Sequence, residues 1–128
     1  MDPHEAVAFA ARWATAWNAH DIDSVLVHFS DDVVFTSPLA GQIVPGSGGV
    51  IHGKQALRAY WAAGIEQQPD LRLEVLGAYA GVDALVIHYR NQRGGFVNEV
   101  LLFEGDSVVA GHATYLAVAP PASQGEWL

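Results

Sequence analysis

The chain contains no cysteine. That excludes disulfides, a thiolate nucleophile and thiolate metal ligation, and it removes the usual clue to redox compartment. Positive charge is scarce as well: 6 Lys plus Arg stand against 14 Asp plus Glu in 128 residues, a formal net charge of -8. No basic patch can form to neutralise phosphates, so neither nucleic acid nor an anionic membrane is an expected partner. Apolar residues make up 51 % of the chain, yet no run approaches the roughly 20 apolar residues of a membrane-spanning helix. The opening MDPHEAVAFAARW carries acids and an Arg where a secretion signal needs a basic start and an unbroken apolar stretch. A soluble, cytoplasmic protein is expected.

What is present fits one domain, since two cores would leave each half near the lower limit for stable folding. We expect it to span residues 1–118. The remainder, 119–128, has no periodicity and is expected to be a mobile tail, with Trp127 available as an anchor. So much apolar content in so small a chain exceeds what one core hides, and a pocket or a homodimer interface would use the excess. The expected partners are a small apolar molecule and a second copy of the chain.

Phe9, Trp13 and Trp17 recur every four residues among alanines, which predicts a helix from Pro3 to Ala19. Asp21 then caps a second helix bearing Ile22, Val25, Leu26 and Phe29 on one face. VVFTS reads as a strand stopped by Pro38, and LAGQIVPGSGGVIHG as an irregular loop whose PGSGG segment is expected over a pocket mouth. A third helix runs from Lys54 to about Gln68, with His52 just before it. Past Pro69 the period becomes two, in LRLEVLGAYA, DALVIHYRN, FVNEVLLFE and SVVAGHATYLAVA, four strands of an antiparallel meander. The fold class is therefore α+β: a cone-shaped barrel of three N-terminal helices packed in a curved, mainly antiparallel sheet. An apolar pocket would open between the first and third helices and the concave sheet face.

Hairpin geometry gives a sharper expectation. A turn at Gly105 and Asp106 puts Glu99 opposite His112. In the preceding hairpin an even-length loop brings His88 and Arg90 to Glu99's face, whereas an odd-length loop or a bulge brings Tyr89 there instead. A carboxylate in the apolar strand around VLLF is costly unless paired or protonated, so Glu99 is the most informative residue of the chain. Beside His112 it would share a proton and work as an acid/base pair; beside Arg90 it would stay ionised and orient its neighbours. Glu99 and His112 could equally be a structural pair, and Trp13, Trp17 and Trp61 ordinary core residues. The spacing of His88, Glu99 and His112 matches no compact metal motif, and neither metal nor cofactor is expected.

The order of elements, with WNAHDIDSVLVHFSDDVVFTSP, IHGKQALRAYW and NEVLLFEGDSVVAGHATY, resembles the nuclear transport factor 2-like superfamily, in particular its SnoaL-like polyketide cyclase and ketosteroid isomerase branch. The resemblance covers about Val7 to Leu116. It implies Trp13 at the place of an isomerase tyrosine, Glu99 at the sheet acid and Ser37 at the general base. A serine cannot shuttle a proton unaided at neutral pH, so steroid isomerisation is not expected. The resemblance also implies a homodimer through the convex sheet face. The expected site is Glu99 and His112 as catalytic pair, with Trp13, Trp17, Phe35, Ser37, Trp61, Tyr89, Arg90, Leu101 and Thr114 against the ligand. The expected function is binding of an apolar or aromatic ligand, with isomerase- or cyclase-like proton transfer. The alternatives are a non-catalytic binding or dimerisation module, and water activation by Arg90 and Glu99 like that of limonene epoxide hydrolases.

Overall fold

In a computed structural model, which describes residues 1–117, each helix begins where local chemistry starts it. Asp2 accepts a hydrogen bond from the His4 N–H, and Pro3 takes the first helical position, opening α1 (Pro3–Asn18). Its buried face is Ala6, Ala10, Trp13, Ala14 and Trp17. Asp21 caps α2 (Ile22–Leu26), which is shorter than its apolar pattern suggests because Phe29 already begins β1 (Phe29–Thr36). The presumed loop is largely structured. Ser37 accepts a hydrogen bond from Leu39 N–H at 3.2 Å and Pro38 follows as the first helical residue, so the chain enters a further helix, α3 (Pro38–Ile43). A short strand β2 (Val50–His52) then leads through Gly53, at φ 90°, into α4 (Lys54–Gln67). There are thus four helices where three were expected, and His52 belongs to a strand.

The remaining strands are β3 (Glu74–Ala80), β4 (Ala84–Arg90), β5 (Phe96–Glu104) and β6 (Ser107–Tyr115). They form the expected meander, and the sheet order is β2-β1-β6-β5-β4-β3. Only β1 and β6 pair in parallel. The sheet does not close: β2 and β3 are its edges, so the architecture is α+β with an open, mixed sheet in place of a barrel. Phe35, Leu85, Ile87, Val97 and Leu101 are buried on its helix-covered side beneath α1 and α4. Among the described residues no helix is long and apolar enough to cross a membrane. The expected tail, 119–128 with Trp127, lies outside the described residues.

Two local irregularities decide which side chains share a face. In the β5–β6 hairpin the turn pairs Glu104 with Ser107 and Phe103 with Val108, as expected, but Leu102 then pairs with Ala110. Val109 is the extra residue of a β-bulge, and past it every partner moves by one. Glu99 consequently faces Ala113, while His112 faces Val100 on the outer side of the sheet. There its Nδ1 lies 2.7 Å from the Thr36 hydroxyl. The expected Glu99–His112 pair does not exist.

The β4–β5 connection is the odd-length case. Arg90 pairs with Phe96, leaving a loop of five residues, Asn91 to Gly95. Asn91 builds it: the side-chain oxygen accepts from the Arg93 and Gly95 N–H groups at 3.0 and 2.9 Å, and Gly94 supplies φ 80°. Tyr89 therefore shares Glu99's face, and His88 and Arg90 do not. Arg90 is bound to Glu74 at 2.9 Å and lies over the Phe96 ring, which removes the water-activating Arg90–Glu99 arrangement. Thr114 pairs with Asn98 and is exposed on the outer side, its hydroxyl donating to the Asn98 carbonyl.

Candidate active site

Trp13 and Trp17 of α1, Phe35 of β1 and Trp61 of α4 meet around a cavity of about 400 Å³. Their contacts are mutual: Trp61 meets Trp17 edge to face at 4.8 Å and Phe35 at 5.5 Å, and Trp13 leans on Tyr89 at 5.3 Å. Leu101, expected against the ligand, is completely buried in the core and takes no part in the lining. Ala113 leaves space beside Glu99, and Leu71 and Leu73 complete the apolar wall.

Within this wall sits one carboxyl group, that of Glu99, 5 % exposed. Burial raises its pKa to about 7, and the hydrogen bond that the Tyr89 hydroxyl donates to Oε1 at 3.2 Å only partly opposes this. Two further phenols open onto the same cavity. Tyr60 donates a long hydrogen bond of 3.4 Å to the Ser37 hydroxyl, and burial pushes its own pKa to about 12. Tyr115 is 42 % exposed as a residue, yet desolvation raises its pKa too, with Ser37 opposing and the Glu99 charge adding. Burial and the neighbouring Glu99 charge hold Tyr89 well above the usual phenol range. At neutral pH all three phenols are therefore protonated donors beside a carboxyl group balanced between its two forms. Trp17 Nε1 is buried without a hydrogen-bond partner among the described residues.

Polar side chains line the rest of the cavity: Gln42 from α3, Gln68 after α4, and Asn91, Gln92 and Arg93 from the β4–β5 loop. Gln92 donates to Gln68 at 2.5 Å, which ties that loop to the segment following α4. The PGSGG segment, expected over the mouth, contributes no lining residue. It folds back beside Ser37, where Gly49 O accepts from the Ser37 N–H and a Cβ on Gly49 would sit 3.0 Å from the Ser37 carbonyl oxygen. The lining at that end comes from Ser37, Pro38, Leu39 and Gln42 instead.

Of the expected contacts, the cavity brings together Trp13, Trp17, Phe35, Ser37, Trp61, Tyr89 and Glu99. It does not gather Arg90, Leu101, His112 or Thr114. Because His88 and His112 project from the side of the sheet opposite to Glu99, those three residues do not converge on a common point. Tyr60, Tyr115, Gln42 and Arg93 were missed. The Ser-Pro pair at 37 and 38 carried a legible helix-start signal that would have found Gln42. Tyr60 stood in the apolar stripe of its helix, and Tyr115 follows from Glu99 only once the bulge is known.

A model of the SnoaL-like domain matches residues 10–127. A SnoaL-like protein of unknown function from Burkholderia thailandensis is 37 % identical over 91 % of this chain and 99 % of that one, with a TM-score of 0.84. More distant structures share the fold. AclR, a proposed hydroxylase from Streptomyces galilaeus, is 21 % identical over 90 % of this chain and 91 % of its own, TM-score 0.68. TerC, co-crystallised with polyporic acid, is 14 % identical over 87 % of this chain and 91 % of its own, TM-score 0.70. No protein of curated function matches the sequence significantly. A domain model spanning nearly the whole chain, and a relative of similar length and the same fold, establish that this protein belongs to the SnoaL-like family.

Proposed function

We propose that the protein binds a small, largely apolar carbonyl compound in this cavity and transfers a proton on it through Glu99. The observation that carries the reading is a solitary buried carboxyl group, with its pKa raised to about 7, opening on an aromatic-walled cavity. Near neutrality such a group exists in both forms, which suits it to take a proton from one atom and return it to another. The step is enolisation. A C–H bond next to the carbonyl breaks, the proton passes to a Glu99 oxygen, and the electron pair moves to the carbonyl oxygen. Phenol donors at Tyr60 and Tyr115 are the groups available to hold that developing negative charge. Tyr89 orients the carboxyl group through its hydrogen bond. His112 has no part in this scheme.

Hydrogen–deuterium exchange at the α-carbon of 2-tetralone, followed by NMR in D2O, tests the proposal. Exchange catalysed above buffer, rising with an apparent pKa near 7, is expected, and Glu99→Gln should slow it about 100-fold or more. Equal rates in both proteins would overturn the assignment. Ser37 favours a second reading, non-catalytic binding, because its hydroxyl is occupied in capping α3 and in accepting from Tyr60. Saturable binding of 2-tetralone without exchange would select that reading.

We also propose that a second copy packs on the outer sheet face. Tyr79, Phe96 and Leu102 are exposed there beside His88 and His112, an apolar surface in a strongly acidic protein. Sedimentation at micromolar concentration should show a dimer that Leu102→Arg dissociates. A wild-type monomer would refute it.

A further inference from the structure

Apart from the neutral phenols, only two side chains lining the cavity are ionisable, Glu99 and Arg93. Arg93 is exposed on the β4–β5 loop and, unlike Arg58 and Arg90, makes no ion pair among the described residues. The other polar amide side chains of the lining, Gln42, Gln68, Asn91 and Gln92, are neutral, and Glu99 is the one carboxyl group in it. Its loop is held in shape. The Asn91 N–H donates to the Gly95 carbonyl at 2.9 Å, the Gly94 N–H to the Asn91 carbonyl at 2.9 Å, and Gln92 bonds to Gln68. The chain as a whole repels anions, with a net charge of -8, and an arginine at the cavity lining that makes no ion pair among the described residues is a local exception to that field.

From these observations we infer that Arg93 makes the cavity selective for ligands that carry an anionic group, a carboxylate in the simplest case, at the end remote from Glu99. The inference rests on the proposed ligand-binding role of the cavity and adds the class of ligand. Glu99 lies three strand steps from Phe96, where β5 begins, roughly 10 Å at about 3.3 Å per residue, and the loop that carries Arg93 lies beyond that end, which leaves room for a bicyclic ring system between the two charged ends. Orientation follows from charge. A ligand carboxylate beside Glu99 would meet a like charge among apolar walls, whereas at Arg93 it finds a planar fork that accepts it with two hydrogen bonds.

The test uses two probes of equal shape, 2-naphthoate and 2-naphthamide, titrated calorimetrically at pH 8 and low ionic strength. The wild type should bind 2-naphthoate about three- to fivefold more tightly, the range of a partly exposed ion pair, and the preference should shrink as salt is added. Arg93→Gln should abolish the preference for 2-naphthoate, and Arg93→Glu should place 2-naphthamide clearly ahead. Arg72→Gln, outside the lining, should keep the preference. Since Arg93 is exposed, these variants are expected to fold, and an unchanged thermal transition verifies this. Equal wild-type affinities for the two probes, or a preference that survives Arg93→Gln, would overturn the role of Arg93 while the binding cavity stands. No binding of either probe would overturn the cavity reading and this inference together.

Discussion

Glu99→Gln is expected to make the protein more stable at pH 8 and to remove most of its loss of stability between about pH 4.5 and pH 7. In the folded chain the Glu99 carboxyl has its pKa near 7, against 4.5 for an ordinary glutamate. A raised folded pKa means that the native state holds its proton while the unfolded state has lost it. The stabilisation is therefore fully present below pH 4.5, falls as pH rises, and is gone above about pH 7. Over that window the loss amounts to about 3 kcal/mol at about 1.4 kcal/mol per pH unit. Gln keeps the shape and can still accept from the Tyr89 hydroxyl, but has no proton to lose, so its profile should lack this slope. The Asp23 carboxyl, held low by its hydrogen bond with Arg58, acts below this window and in the opposite sense. Urea denaturation of both proteins in half-unit steps from pH 4.5 to 8.5 measures the difference. Parallel profiles would mean that Glu99 is hydrated and titrates normally, which would also remove the physical basis of the proposed proton transfer.

Trp61→Ala is expected to cost about 3–5 kcal/mol, the range for deleting a buried aromatic side chain. Trp61 is 6 % exposed and sits at the centre of the aromatic cluster, with Trp17 at 4.8 Å, Phe35 at 5.5 Å and Phe29 at 5.6 Å. It ties α4 to both α1 and β1 and also forms cavity wall, so the vacated volume merges with an existing space that the neighbours cannot easily collapse to fill. Against a total stability of about 5–15 kcal/mol for a domain, such a loss is large. Trp61→Phe should lose less by retaining an aromatic ring. Guanidinium denaturation with unchanged slope is the measurement; a loss below about 1 kcal/mol for the alanine variant would show that the cluster is loosely packed and that the walls are not held by it.

Both predictions turn on residues that could be singled out in the sequence, and for the same reason: each is a chemical exception within a periodic pattern. A carboxylate in an apolar strand and an aromatic stripe at helical spacing are legible because periodicity of 3.6 or 2 reports directly on burial. The helices α1 and α4, the four-strand meander and the aromatic lining of a cavity all follow from that periodicity. So does the prominence of Glu99, whatever stands next to it.

The identity of its neighbours was decided by tertiary structure. One extra residue, Val109, turns His112 away from Glu99 and brings Ala113 beside it, because side chains alternate with a period of two and a single bulge inverts every residue beyond it. One odd-length loop, closed by Asn91, does the same for Tyr89 against Arg90. Neither alters the hydrophobic pattern enough to be read. Sequence alone determined α1, α2, α4, the meander and which residues are costly to bury; only the folded sheet, through two local shifts of register, decided which of them meet.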